Sequence, residues 1–208
     1  MRLALVGVAG SGKGTQAARL VTEFNIPHIS TGNILRDEVA NKTEIGLEVK
    51  YILDVGGLVS DDLIVQITKN RLAEDDCKNG FILDGFPRTI AQADKLGAMV
   101  ELDRVIYISV SDDLVLSRLT ARRMCNDCGA IFNTIFMPPK KEGICDDCGA
   151  KLIQRKDDTH EAGLARLKVF YDQITPLEAY YAERNLLLKV DGEMEVEKLN
   201  TIILEALK

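Results

Sequence analysis

A short apolar run, Leu3-Ala4-Leu5-Val6, breaks into Gly7-Val8-Ala9-Gly10-Ser11-Gly12-Lys13-Gly14-Thr15, and the helical pattern QAARLVTEF follows at once. A strand, a glycine-rich turn and a helix in that order form the context of a phosphate-binding loop. The glycines let successive backbone N–H groups converge on one anion, and the helix N-terminus adds its dipole. Lys13 adds a compact charge that reaches outer phosphates. Gly10, Ser11, Gly12, Lys13, Gly14 and Thr15 are therefore the candidate phosphate-binding residues. The general pattern wants Ser or Thr directly after the lysine, but here Gly14 intervenes and the hydroxyl comes at Thr15. That displacement argues against a GTPase or motor protein and for another branch of the fold.

Beyond the loop, short apolar runs alternate with longer helical patterns, which predicts an α/β chain with a parallel sheet and crossover helices. Strands are predicted at 3–6, 28–30, 81–83, 105–110 and 186–190, each nearly all apolar, as strands covered on both faces are. Helices are predicted at 13–24, 61–74, 89–96, 112–122 and 195–207, with one long helix over 159–184. Asp61 and Asp112 stand where N-caps are expected. Two stretches break the alternation. Residues 31–58 read as two helical pieces with no strand between them, so they project from the sheet. Residues 122–158 are richer in Gly, Pro, Cys and charge and read as an insertion with its own fold.

That second stretch holds Cys125-Asn-Asp-Cys128-Gly and Cys145-Asp-Asp-Cys148-Gly, two C-x2-C knuckles at zinc-ribbon spacing. Gly129 and Gly149 each follow a pair, where positive φ lets backbone N–H groups point at sulfur. Four thiolates close a coordination shell, so the expected ion is structural; zinc leads and iron is chemically allowed. The stretch has too few apolar residues for a core of its own, and metal binding supplies the missing order. Two disulfides are the rival reading, disfavoured in a chain of this composition. Cys77, His28 and His160 read as structural rather than ligating.

At 208 residues the chain suits one domain with inserted subdomains. With 26 Lys+Arg against 32 Asp+Glu its net charge is -6, so it lacks the global basic footprint of a duplex-binding protein. No run approaches eighteen apolar residues, and no membrane-spanning helix is expected. The N-terminal segment lacks the parts of a signal peptide, and the expected location is the cytoplasm.

The loop is followed in order by ISTGNILR at 29–36, GGLVSDDL at 56–63, DGFPRT at 84–89 and RKDD at 155–158. In that order and spacing the chain resembles the adenylate kinase family, in its long-lid bacterial form with a metal-binding lid. The resemblance covers nearly the whole chain. It implies a P-loop nucleoside monophosphate kinase fold, with a five-stranded parallel sheet and helices on both faces. It divides the chain into a core of residues 1–29, 60–120 and 159–208, an AMP-binding insertion over 30–59 and a zinc lid over 121–158. The implied reaction moves a phosphoryl group reversibly between ATP, with Mg²⁺, and AMP to give two ADP, in a monomer.

The same resemblance places the AMP base and ribose near Thr31, Gly57, Leu58, Val59 and Gln92, whose amide offers both a donor and an acceptor. It places the AMP phosphate on Arg36 and Arg88, with Gly85, Phe86 and Pro87 beside them. Thr31 bears on base choice, though by itself it reads equally as a helix cap. Arg118, Arg122, Arg155 and Arg166 align with the arginines around the transferring group and the bases. Arg118 and Arg122, four apart on the predicted 112–122 helix, are expected on one face. ATP adenine is expected against Ile131, Phe132 and Met194. Asp84 ends an apolar strand, where a carboxylate needs a task. With Thr15 it is the expected Mg²⁺ site, a cap for the next turn being the alternative. Two residues depart from the family pattern: Ala9 replaces a common Pro, and Asn33 a common Asp.

The acceptor oxygen is already anionic, so in-line positioning and charge neutralisation by Lys13 and the arginines carry the expected mechanism, with closure excluding water. The nearest rival is a kinase for CMP, UMP or GMP. A remote one is a zinc-ribbon nucleic-acid module on a nucleotide switch, disfavoured by Asp127, Asp146 and Asp147 in the knuckles and by 5% aromatic content.

Overall fold

The computed structural model describes residues 1–55, 57 and 59–208. Leu58, expected beside the AMP base, lies outside the described residues. Five parallel strands form the main sheet: β1 (Arg2–Val6), β2 (His28–Ser30), β3 (Phe81–Asp84), β4 (Arg104–Ser109) and, late in the chain, β8 (Leu187–Asp191). Their spatial order is β2-β3-β1-β4-β8, every pairing parallel.

Alternation along each strand divides the core into two layers. Leu3, Leu5, Ile82, Ile106 and Ile108 face one side, where they meet Ala17 and Leu20 of α1 (Lys13–Phe24) and Leu199 and Ile203 of α9 (Val196–Ala206). Ala4, Val6, Phe81, Leu83, Val105 and Tyr107 face the other. That second layer takes in Ala93 and Leu96 of α5 (Ile90–Met99) and Val115 and Leu119 of α6 (Asp112–Thr120). Leu167 of α7 (His160–Val169) and Leu177 of α8 (Pro176–Ala182) complete it. Both faces are buried, which is why these strands are almost wholly apolar. Each large side chain removed from water there contributes about 1.5–3 kcal/mol.

Between β2 and β3 lie α2 (Thr31–Ala40), α3 (Glu44–Asp54) and α4 (Asp61–Leu72), and no strand separates α2 from α3. The stretch after α6 forms a three-stranded antiparallel sheet of β5 (Arg122–Cys125), β6 (Ile131–Asn133) and β7 (Leu152–Ile153), ordered β6-β5-β7. Because β1 sits between β3 and β4 while α1 and α5 leave toward opposite faces, the carboxyl ends of these strands border a crevice.

Three sequence expectations need correction. The 112–122 helix stops at Thr120: Ala121 caps it, and Arg122 opens β5, paired with Asn133. Arg118 reaches the cleft from α6 and Arg122 from β5, so helical spacing is not what brings the two there. Ser60 and Ser111, rather than Asp61 and Asp112, hold the cap positions, and the acids occupy the first turns, where they favour the helix dipole. The long 159–184 helix is interrupted over Phe170–Ile174 by a wider π turn, in which Thr175 N–H bonds Phe170 O at 2.9 Å. Pro176 follows as the first residue of α8; its ring cannot sit in a continuous α-helix, and the widened turn accommodates it.

Candidate active site

The loop after β1 has the conformation its glycines predict. Gly7, Gly10 and Gly12 have φ of 152°, 88° and 99°, and a Cβ on Gly7 would come within 2.7 Å of Ile108 O. Gly12 caps α1 in the left-handed region, and Gln16 N–H is the first to bond inward, to Gly12 O at 3.0 Å. The amides of Lys13, Gly14 and Thr15 therefore have no intrahelical acceptor and form an anion cradle. Lys13 Nζ donates to Gly7 O at 2.7 Å and Val8 O at 2.8 Å. Burial in the cleft pushes its pKa down to about 8, against the pull of Asp84 and with help from Arg88, Arg122 and Arg166. Ser11 Oγ is buried and finds no partner among the described residues.

Asp84 ends β3 on the floor of the same cleft. Burial favours its neutral form, but the His28 hydrogen bond, Lys13 and Arg88 outweigh that and hold the carboxyl below the usual carboxylate range. His28 Nε2 lies 3.3 Å from Asp84 Oδ2, so this histidine, expected to be structural, supports the carboxylate. Thr31 is buried, and its hydroxyl donates to Gly85 O at 3.1 Å. The cap of α2 is Ser30, whose Oγ accepts from Asn33 N–H at 3.4 Å, so the capping alternative for Thr31 is excluded.

Arg88 Nε donates to Gly85 O at 2.7 Å, which aims the guanidinium across the cleft. Gln92 is 1% exposed and lines the cleft with both ends of its amide engaged. Its Oε1 accepts from Arg88 N–H at 2.7 Å, and its Nε2 donates to Asp61 Oδ1 at 2.6 Å. Gly57, Val59, Gly85 and Pro87 line the wall as expected. Phe86 does not: its ring is fully buried beneath the turn. It is the one large apolar side chain of that motif, and the core takes it.

The remaining arginines converge from separate elements. Arg122 forms a two-point pair with Asp158 (Nε to Oδ2, 2.8 Å), and Arg166 pairs with Asp157. Arg166 Nη1 is buried, stands 3.6 Å from Asp158 Oδ1 and has no hydrogen-bond acceptor among the described residues. Arg155 Nε reaches only the thioether of Met124, at 2.8 Å, and burial, with Arg122 and Arg36 nearby, lowers its pKa to about 9. It remains charged at neutral pH. Asn33 Oδ1 accepts from Arg36 at 2.7 Å and from Arg155 at 3.4 Å, linking α2 to the chain after β7. These donors are crowded and incompletely satisfied, the condition that an anionic ligand relieves.

At the outer end, Arg118 Nη1 donates to Gly192 O at 2.8 Å and lies 5.7 Å from the Phe136 ring centroid. Ile131 and Met194 line this part of the cleft. Phe132 also borders it, but its ring is 8% exposed and packs with Cys125, Cys145 and Leu152, because alternation along β6 turns it away from Ile131. Phe136 and Met137 join the wall without a distinctive sequence signal. They arrive there because β6 and the turn after it fold back over the loop.

The four thiols of Cys125, Cys128, Cys145 and Cys148 have their sulfurs within 4.8 Å of one another. The pairs Cys125–Cys148 and Cys128–Cys145 stand at 3.4 and 3.5 Å, far beyond a disulfide bond of about 2.05 Å. A tetrahedral zinc with bonds of about 2.3 Å sets sulfurs roughly 3.8 Å apart, so the cluster fits such an ion. The knuckles repeat each other: Cys125 N–H bonds Ala130 O at 2.9 Å and Cys145 N–H bonds Ala150 O at 2.8 Å. Gly129 and Gly149 have φ of 77° and 78°.

A glycine cradle, a lysine, an ionised carboxylate at a strand end and arginines gathered from both projecting segments define a P-loop nucleoside monophosphate kinase. A family model described as adenylate kinase matches residues 5–186. An adenylate kinase of Caldicellulosiruptor saccharolyticus is 49% identical over 212 residues, covering 100% of this chain and 99% of the relative. The Clostridium tetani adenylate kinase is 49% identical over 200 residues (94% and 93%), and that of Desulfitobacterium hafniense 45% over 213 (100% and 98%). The chain belongs to the adenylate kinase family, enzymes of phosphoryl transfer between ATP and AMP.

Proposed function

We propose that this cleft transfers a phosphoryl group reversibly between ATP and AMP, with Gly10–Thr15 on the donor phosphates and Arg36 and Arg88 on the acceptor phosphate. The observation that carries this reading is that one cleft is lined by the loop Gly10–Thr15, by Arg36 and Arg88, and by Arg166. Lys13, now on loop carbonyls, turns to the outer phosphates, and Arg122, Arg155 and Arg166 neutralise the group in flight. The acceptor oxygen is anionic and needs no general base. Arg118, Phe136, Met194 and the backbone of Ile131 and Phe132 form a slot for the donor base. Thr31, Gly57, Val59 and Gln92 face the acceptor base.

Asp84 and Thr15 present hard oxygen donors that would hold Mg²⁺, and the ion would supply positive charge to neutralise the phosphates. The cysteine cluster holds zinc as a structural ion. Residues 30–59 and 121–158 close over the core of residues 1–29, 60–120 and 159–208, and so exclude water. One chain supplies every residue named, which supports a monomer. The acidic knuckles support the absence of nucleic-acid binding, and the reduced thiol cluster supports a cytoplasmic location.

The test measures ATP-dependent turnover of AMP, CMP, UMP and GMP by wild type and Arg88→Ala. AMP should be the preferred acceptor, and kcat should fall by about 10²–10⁴ in a folded variant. Near-wild-type turnover by Arg88→Ala, or equal use of the four acceptors, would overturn these assignments.

A further inference from the structure

The geometry points to Asp61 as a positioning residue that fixes the direction of the Gln92 carboxamide and so selects the acceptor base. This rests on the reading that Gln92 faces that base. Asp61 lies in the first turn of α4, outside the cleft wall, and grips the start of α5: Oδ1 accepts from Gln92 Nε2 at 2.6 Å and Oδ2 from Thr89 Oγ1 at 3.0 Å. Arg88 N–H donates to Gln92 Oε1 at 2.7 Å from the opposite side. Reversing the amide would set carbonyl against carboxylate and N–H₂ against N–H, so the two contacts admit one orientation.

A fixed amide offers a ligand one N–H and one carbonyl lone pair in a set order. The N1 acceptor and N6 amino donor of adenine complement that order. A 6-oxopurine carries the opposite pair, N1–H and an O6 acceptor, and matches only a reversed amide. Without Asp61 only the Arg88 N–H still opposes reversal of the amide, and rejection of the 6-oxopurine weakens, because discrimination of this kind depends on leaving groups unpaired in the wrong complex.

The experiment compares AMP with IMP as acceptors, at saturating ATP, for wild type, Asp61→Ala, Asp61→Asn and Gln92→Ala. Asp61→Ala should lower the AMP:IMP ratio of kcat/KM about tenfold, the scale of one such hydrogen-bond pair, by raising KM for AMP while KM for ATP stays put. Asp61→Asn keeps an acceptor toward Gln92 and should stay within about twofold of wild type, given that it preserves the pairing. The helices remain tied by Asp62–Lys95 at 2.6 Å, and Asp61→Ser, a good first-turn residue too short to reach Gln92, stands in if the alanine variant does not fold. A ratio unchanged in Asp61→Ala but collapsed in Gln92→Ala overturns the role of Asp61 alone. A ratio unchanged in both also overturns the placement of Gln92 at the base. A fall in Tm with unaltered kinetics marks Asp61 as a helix tie only.

Discussion

Replacing Lys13 by Met should make the nucleotide-free protein more stable while abolishing its activity. The Lys13 pKa stands near 8 against an ordinary lysine value of 10.5, mainly because burial in the cleft disfavours the ammonium. At about 1.4 kcal/mol per pKa unit, holding that charge at pH 7 costs the folded state at most about 3.5 kcal/mol. Methionine removes this penalty but strips Gly7 O and Val8 O of their donor, a loss of about 1 kcal/mol each. The net gain is about 1–2 kcal/mol, and at roughly 2–4 °C per kcal/mol for a chain of this length Tm should rise by a few degrees. The sign has a pH signature. Between pH 8 and 10.5 the unfolded wild type binds the extra proton, so wild-type stability climbs through that window and the advantage of Lys13→Met shrinks. Calorimetric melts of both proteins, free of nucleotide, at pH 7 and at increasing alkaline pH read this directly. A variant less stable than wild type at pH 7, or an advantage that grows with pH, would refute the view that the ammonium is held at a cost for the sake of its ligand.

Two further outcomes follow from the paired charges and the thiols. Asp158→Ala leaves Arg122, otherwise in a two-point buried pair, without its carboxylate, and should destabilise the protein by about 3–5 kcal/mol in denaturant melts; a loss below about 1 kcal/mol would mean that the pair is replaced by water. Stripping metal from the four-cysteine cluster with a chelator under reducing conditions should lower Tm by several degrees while turnover at low temperature persists, and a folded, chelated sample wholly inactive in the cold would contradict a structural role.

Much of the fold was legible because its causes are local. Nearly all-apolar strands and helix periodicity placed every strand of the main sheet within a residue or two and α1 to the residue. The glycine loop dictated its own conformation, since positive φ at Gly10 and Gly12 is a property of the residue type. Where distant contacts override the local pattern, the structure departs from it. The pattern through 112–122 continued as a helix on paper, but Arg122 belongs to an antiparallel strand whose partners, Asn133 and the chain after β6, lie downstream. The π turn before Pro176 widens the chain without changing its apolar spacing enough for periodicity to register it.

The residue types of the site were set by the sequence alone: a cradle of amides, one lysine, one carboxylate at a strand end, arginines, and two thiol pairs spaced for one ion. Their chemistry resides in the side chains themselves, so no neighbour is needed to read it. Tertiary structure alone decided which of these meet. It brought His28 against Asp84, set Asn33 between Arg36 and Arg155, buried Phe86 away from the cleft, and packed the Phe132 ring among Cys125, Cys145 and Leu152 at the cleft's border. It also placed Asp61 behind Gln92. Apart from Asn33 with Arg36, these pairings join residues far apart along the chain, and only the closing of the sheet and its two projecting segments fixes those distances.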